Sequence, residues 1–283
     1  MSALYERTAQ LVACAFQLTT DSGAIAARLD DMVARARQEH PILHRHQFSV
    51  RRRGGALVVS EDAAVDTVAS DDEAAVQLVD RRMHELAMAA LADRTKLHAG
   101  CGVWHDRRFL VVGRRGAGKT TLMTRLLKED VRVEGDELVL LRDREAVAYP
   151  RRFGVRRLTL SLIPEVGALA PHLLIGPEAS RPGGYHVLAL DPAQLNVPWR
   201  IGCGPVDAVF FLGPRSDGAS TVEAVDTASA LQLLTEQSAA PVSGSGAWIR
   251  DLSALMRSAQ LFSLRVGDLD SGVICMRKCV PVR

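Results

Sequence analysis

The sequence predicts an α/β fold: a core of mixed sheet with antiparallel hairpins, preceded by a small N-terminal α/β portion. Three observations lead there. Residues 113–120, GRRGAGKT, have the form G-x-x-x-x-G-K-[ST] and lie between a short apolar run at 109–112 and a stretch with a Leu/Met face at 121–127. Two strand-like runs, 96–104 and 108–112, are separated only by His105, Asp106 and Arg107, a connection so short that it forces an antiparallel hairpin. The chain has 283 residues, 47% hydrophobic and 24% charged, room for one large domain or a core domain with a smaller one.

Residues 1–20 carry weak signals. Residues 22–38 have helical spacing, with Ile25, Leu29, Met32 and Val33 on one side. Residues 46–50 alternate, 51–55 read as a turn and 56–60 are apolar, which together predict a hairpin. Asp71, Asp72 and Glu73 then open a long helix over 73–92, where the helix dipole favours acids. Residues 1–94 thus read as an N-terminal portion without chemistry of its own, and residues 95–283 as the domain that carries it.

The glycine-rich stretch is a P-loop, in which main-chain N–H groups at a helix N-terminus cradle polyphosphate. Gly113, Gly116 and Gly118 permit backbone angles closed to other residues and a close approach of phosphate oxygens. Lys119 supplies a point charge for the outer phosphates, and the Thr120 hydroxyl can ligate Mg²⁺. The whole run of Gly113, Arg114, Arg115, Gly116, Ala117, Gly118, Lys119, Thr120 and Thr121 is the expected nucleotide-binding segment. The plainer alternative is a glycine-rich turn that caps a helix.

With the hairpin turn centred near Asp106, His98 falls across from Gly113 and Arg114. Its imidazole is therefore expected beside the loop, the alternative being a histidine that fills core or faces solvent. Beyond the loop, Asp136 and Glu137 follow a short strand and precede another apolar run. On a regular strand they would point to opposite faces; Gly135 permits a break or bulge that turns both toward the phosphates. Otherwise they are solvated acids in a turn. Residues 138–141 and 146–149 form a further hairpin.

From residue 151 onward the pattern is mostly strand-like, with predicted strands at 158–162 and 186–190. The clearest, residues 208–212, ends in Gly213–Pro214 without an acid, so it is not an obvious magnesium-binding strand of the hhhhD type. A helix is predicted around 228–237, a flexible turn at 243–246, a helix over 248–258 and strands at 261–266 and 273–276.

The formal net charge of +2 implies no strong polyanion field, and no nucleic-acid module is recognisable. The arginine pairs Arg151–Arg152 and Arg156–Arg157 are candidates to face phosphate. Five scattered cysteines without a C-x-x-C suggest neither a disulfide framework nor a zinc site, and His40, His44 and His46 lack an accompanying acid or thiol set. No basic-then-apolar leader and no apolar run of about 18 residues occurs, so a cytoplasmic location without membrane attachment is expected.

Three features coincide in order and spacing: L-H-A at residues 97–99, the P-loop at 113–120 and G-D-E-L at 135–138. In this the chain resembles the HPr kinase/phosphorylase family, specifically its HPr-kinase-related branch, whose core is shared with the phosphoenolpyruvate carboxykinases. The resemblance covers residues 92–152 and extends loosely to 237. It implies that His98 corresponds to the family's histidine on the strand before the P-loop, and that Lys119 and Thr120 are the phosphate and metal residues. Asp136 and Glu137 correspond to the family's paired acids, one a general base toward the acceptor hydroxyl, the other a metal or phosphate-region group. Glu137 stands where true HPr kinases carry Asp. Tyr149–Pro150–Arg151 resembles the family's aromatic-Pro-Arg turn. The signature stretch of true HPr kinases is not visible after Arg152, so the resemblance does not extend to HPr as acceptor.

The expected function is an ATP- and Mg²⁺-dependent kinase with Asp136, Glu137, His98 and Lys119 as catalytic residues and Thr120 and Asp136 as metal ligands. A serine of a peptide or protein is the leading acceptor and a small-molecule alcohol the next; a homo-oligomer is compatible with either. The opposing class is a non-catalytic nucleotide sensor or assembly protein. The paired acids favour the enzyme, because a switch needs no base beside the γ-phosphate.

Overall fold

Residues 4–32, 36–62, 66–175 and 187–280 are described in this computed structural model. Their packing separates into two units: Met1–Ala34 with His40–Ala92, and Arg35–Glu39 with Asp93–Arg283. No described helix is long and apolar enough to cross a membrane.

In the first unit, β1 (Tyr5–Leu11) and β2 (Cys14–Thr20) form a hairpin through Val12, whose φ is 51°. The alternation of β2 is complete, with Cys14, Phe16, Leu18 and Thr20 buried. Helix α1 (Gly23–Met32) is shorter than predicted. Residues 33–35, with Val33, lie outside the described residues, and Arg37–Gln38 is a strand (β3) of the second unit. Strands β4 (His44–Arg53) and β5 (Ala56–Glu61) pair as far as Arg53 opposite Ala56. Arg51, Arg52 and Arg53 are therefore strand and not turn: Gly54 and Gly55, at φ 56° and 85°, supply the positive φ of a two-residue hairpin loop. Strand β6 (Thr67–Ala69) and helix α2 (Asp72–Ala90) follow, with the Asp71 carboxylate accepting the Ala74 N–H at 2.8 Å as N-cap. The sheet order is β1-β2-β4-β5-β6, and α2 turns Ala75, Val76, Val79, Met83 and Ala87 inward.

The second unit opens with β7 (Thr95–Leu97), β8 (Ala99–Trp104) and β9 (Arg107–Val112). The predicted hairpin is there, but its first strand is broken at His98, and β7 and β8 enter different sheets. The turn is His105 and Asp106 alone, both at positive φ, which leaves Arg107 in the strand. Next come α3 (Lys119–Leu126), β10 (Arg132–Gly135), β11 (Val139–Arg142), β12 (Glu145–Ala148) and β13 (Phe153–Val155). Residues 158–162, predicted as strand, lie in helix α4 (Arg157–Leu162), followed by α5 (Pro164–Leu169). Apolar/polar alternation over so few residues imitates a strand, and Pro164 fixes the start of the second helix instead. Strands β14 (Leu174–Ile175) and β15 (Leu188–Leu190) complete a small sheet with β13; His186, predicted as strand, lies outside the described residues.

Strands β16 (Arg200–Ile201), β17 (Cys203–Pro205), β18 (Ala208–Leu212) and β19 (Thr221–Ala224) lead to α6 (Thr227–Glu236), β20 (Ser238–Ala239), α7 (Ser245–Ser258), β21 (Gln260–Arg265) and α8 (Leu269–Cys279). Two expectations are corrected here. The predicted turn at 243–246 is already helical from Ser245, and residues 273–276 lie in α8 because Asp268 caps a helix by accepting the Ser271 N–H. A mixed six-stranded sheet, β10-β8-β9-β18-β21-β19, has parallel β9, β18 and β21 at its centre. A five-stranded antiparallel sheet, β17-β12-β11-β7-β20, runs beside it. The chain passes between the two sheets at His98 and at Asp136–Glu137.

Candidate phosphate-binding site

The glycine loop joins the carboxyl end of β9 to the amino end of α3. A Cβ on Gly113 would stand 3.1 Å from the Leu212 carbonyl oxygen of β18, a tight contact that glycine avoids. Gly116 and Gly118 have φ 84° and 99°, left-handed values that L residues rarely adopt. Arg114, Arg115, Gly116 and Gly118 are exposed, and Ala117 is half-buried.

Lys119, the first residue of α3, is only 5% exposed. Its ammonium donates to the carbonyls of Gly113 at 2.5 Å and Arg114 at 3.1 Å. Burial pushes its pKa down to about 8, against the attraction of Asp136 and Glu137, so both acids lie within its field. Thr120 reaches the Asp136 carboxyl with its hydroxyl. Thr121 shares a hydrogen bond with the buried Thr159 at 2.8 Å, and Arg114 pairs with Glu236 of α6 at 3.1 Å.

The acids arrive through a bulge. The register of β10 on β8 shifts between Val133 and Gly135, and a Cβ on Gly135 would come within 3.1 Å of the Ala148 side chain. Glu134, fully buried, anchors the bulge: it is ion-paired with Arg108 and accepts the Gly202 N–H at 3.1 Å. The Cys101 thiol beside it is pushed up to about 12 by burial. Beyond the bulge Asp136 is 3% exposed, and burial pushes its carboxyl up to about 7; the Thr120 hydrogen bond and Arg151 pull the other way. Glu137 is placed differently: half-exposed, its carboxylate stands 3.0 Å from the Arg151 guanidinium. The two acids are thus near one loop but in unlike environments.

His98 bridges the strands. Its main-chain N–H donates to the Gln237 carbonyl at 2.8 Å, and its Nδ1 lies 2.9 Å from the Glu137 carbonyl. A carbonyl can only accept, so Nδ1 carries the proton and Nε2 is the free ring nitrogen. Burial, with Lys119 next, lowers the imidazole pKa, which favours the neutral ring. The pairing of Ala99 with Val112 sets His98 opposite Gly113.

Among the described residues no group of three or more His, Cys, Asp or Glu side chains is placed to hold a metal ion. The Thr120 hydroxyl and Asp136 carboxyl nevertheless suit Mg²⁺, which takes one or two protein oxygens and leaves its other positions to water and phosphate. Of the further arginines proposed for phosphate, Arg152 has its Nε 3.9 Å from the carboxylate of Asp191. The contributions of Arg151, Thr159, Glu236 and Gln237 come from segments distant in sequence. Only Arg151 had a local signal, the turn Tyr149–Pro150–Arg151.

No family profile and no curated protein matches the chain. Among solved structures, one described as "Structure of the Hpr(Ser) kinase/phosphatase from Coxiella burnetii" is similar at 9% identity and a TM-score of 0.30, over 65% of this chain and 94% of that one. A TM-score this low carries no argument about the present chain.

Proposed function

We propose that the chain is an ATP- and Mg²⁺-dependent kinase that transfers the γ-phosphoryl group to a hydroxyl, a serine of a peptide or protein being the leading acceptor. One observation carries the reading: at the glycine loop the buried Lys119, lowered to about 8, lies in the field of the buried Asp136, raised to about 7 and hydrogen-bonded to the neighbouring Thr120. Strong opposed shifts produced by burial together with a specific charged neighbour are the mark of a candidate functional site. The motif resemblance to HPr-kinase-related enzymes points the same way and suggests the serine.

In this reading the loop N–H groups and Lys119 hold the phosphates. Thr120 would hold Mg²⁺, which supplies neutralising charge when bound, and this leaves the Asp136 carboxyl to act as base. Asp136 takes the acceptor proton: a carboxyl that titrates near neutrality is a competent base at cellular pH. Neutral His98 can accept a hydrogen bond at Nε2 and so orient the incoming hydroxyl. Electrostatic positioning provides most of the acceleration.

The test is radiolabelled ATP offered to a panel of serine peptides and small alcohols, with Lys119→Ala beside the wild type. Label should pass to a hydroxyl, and Lys119→Ala should lose it while keeping a near-normal Tm. Nucleotide binding without transfer to any member would favour the sensor; unchanged turnover in Lys119→Ala would remove the phosphate-loop assignment.

A further inference from the structure

We propose that Arg151 is a further catalytic residue, held by Glu137 until nucleotide binds and then passed to the γ-phosphoryl group. The proposal rests on the kinase reading above and assigns Glu137 a use other than base. The backbone fixes Arg151 in place: Tyr149 N–H donates to the Leu138 carbonyl at 2.9 Å, and Arg151 N–H to the Tyr149 carbonyl at 2.9 Å. Because Leu138 directly follows Glu137, this turn is stapled to the segment that carries both acids. The guanidinium then stands 3.0 Å from Glu137, with side chains 44% and 37% exposed, and it acts on the Asp136 carboxyl behind. Glu137 also acts on Lys119, so its carboxylate is drawn by two cations, Arg151 and Lys119.

An ordinary surface ion pair would contribute little wherever it sat. This one stands beside the acids at the loop that would receive polyphosphate. Glu137 has nothing to gain from an incoming anion, whereas Arg151 exchanges one carboxylate for phosphoryl oxygens that it can grip with two parallel N–H donors. Arg114 is already engaged by Glu236 on the other flank. In the transfer, the bond from γ-phosphorus to the β-bridging oxygen breaks and its electron pair leaves with ADP. The acceptor oxygen bonds to phosphorus, and its proton goes to Asp136. Arg151 gives up no proton; it only hydrogen-bonds to the equatorial oxygens, where charge gathers.

The experiment compares Arg151→Gln, Arg151→Lys and Lys119→Ala with the wild type. ADP affinity, Tm and single-turnover ADP formation from ATP are measured, with water as the acceptor that needs no identification. Arg151→Gln should slow turnover by ~10²–10³, the usual loss for one transition-state donor. ADP affinity and Tm should stay near wild type, and Arg151→Lys should recover only part of the rate, because a point charge lacks the fork. Turnover of Arg151→Gln within about threefold of wild type while Lys119→Ala is inactive would leave Arg151 a surface ion pair and overturn the proposal. Wild-type turnover in Lys119→Ala as well would overturn the kinase reading, and the proposal with it.

Discussion

The two units differ in what they bury. Among the described residues, the first hides one polar side chain, Thr20, beneath an apolar core that includes Phe16, Leu18, Phe48 and Val50. The second hides Arg108, Lys119, Glu134, Asp136, Asp191 and Asp251. Burying charge is costly unless it is matched, and most of these are matched. Glu134 has Arg108 and the Gly202 N–H; Asp251 accepts from Thr95 at 2.6 Å and from the Asp143 N–H at 2.9 Å; Asp191 accepts the Ala193 N–H at 2.9 Å. Lys119 donates to two carbonyls and Asp136 is hydrogen-bonded to Thr120, yet burial still moves their pKa values toward neutrality. The contrast teaches that burial alone does not mark a site. A buried charge whose pKa stays displaced toward neutrality is the feature on which the proposed site rests.

The strongest way to break this contrast is Asp136→Asn. General-base assistance is worth ~10²–10⁴ in rate, so kcat should fall by that order while nucleotide affinity changes little. Glu137→Gln should cost less, since its carboxylate is engaged by Arg151. Phosphotransfer and ATP affinity measured side by side decide it; a larger loss in Glu137→Gln would reverse the assignment of the two acids.

Glu134→Gln tests the other kind of buried charge. It strips Arg108 of its counter-ion in the interior, and breaking a buried pair costs about 3–5 kcal/mol. Urea unfolding should show that loss, whereas Asp136→Asn should leave stability at neutral pH unchanged or raise it. Equal destabilisation by the two would mean that Asp136 is a structural acid like Glu134.

The pH dependence of the ligand-free protein sharpens the point. The Asp136 carboxyl is raised from 3.8 to about 7, so the folded state keeps a proton that the unfolded chain has released. That stabilisation is complete below pH 3.8 and lost as pH rises through about 7, each pH unit between those values removing about 1.4 kcal/mol. Lys119 has the opposite sign. Lowered from 10.5 to about 8, its contribution is present above 10.5 and lost as pH falls through about 8. Unfolding curves in chelator should therefore flatten across the acidic window in Asp136→Asn and across the alkaline window in Lys119→Met. Slopes identical to wild type in both variants would remove the claim that these two charges are under-compensated.

What was legible in the sequence follows the range of the forces involved. The glycine loop, its strand and its helix are local, since φ at Gly116 and Gly118 and the apolar run at Phe109–Val112 depend on near neighbours. The opposition of His98 and Gly113 followed from one short turn. The bulge before Asp136 was foreseen from Gly135, but its anchor was not: the Glu134–Arg108 pair joins β10 to β9. Short segments failed where alternation misled, at Leu158–Leu162 and Val273–Met276; at the second the Asp268 cap outweighs a few apolar residues. The mixed α/β character was readable; the partition of β7 and β8 into separate sheets was not, because a strand run shows no break at His98.

The smallest expected effect lies in the first unit, at the ion pair of Arg52 with Asp72, 2.8 Å apart and with side chains 59% and 30% exposed. Water competes for both charges and salt screens them, so such a pair contributes about 0–1 kcal/mol. Asp72 also sits in the first turn of α2, where an acid meets the helix dipole for a further ~0.3–1 kcal/mol. Arg52→Ala should therefore lower stability by no more than about 1 kcal/mol, Asp72→Asn by somewhat more, and 1 M salt should shrink both. The comparison with Glu134→Gln is useful because both substitutions remove one partner of an ion pair, one in the interior and one in water. Urea unfolding of the full chain at low and high salt measures both. A loss above ~2 kcal/mol for Arg52→Ala that salt does not reduce would mean that the first unit depends on charge as the second does, and the contrast between them would have to be drawn from something other than burial.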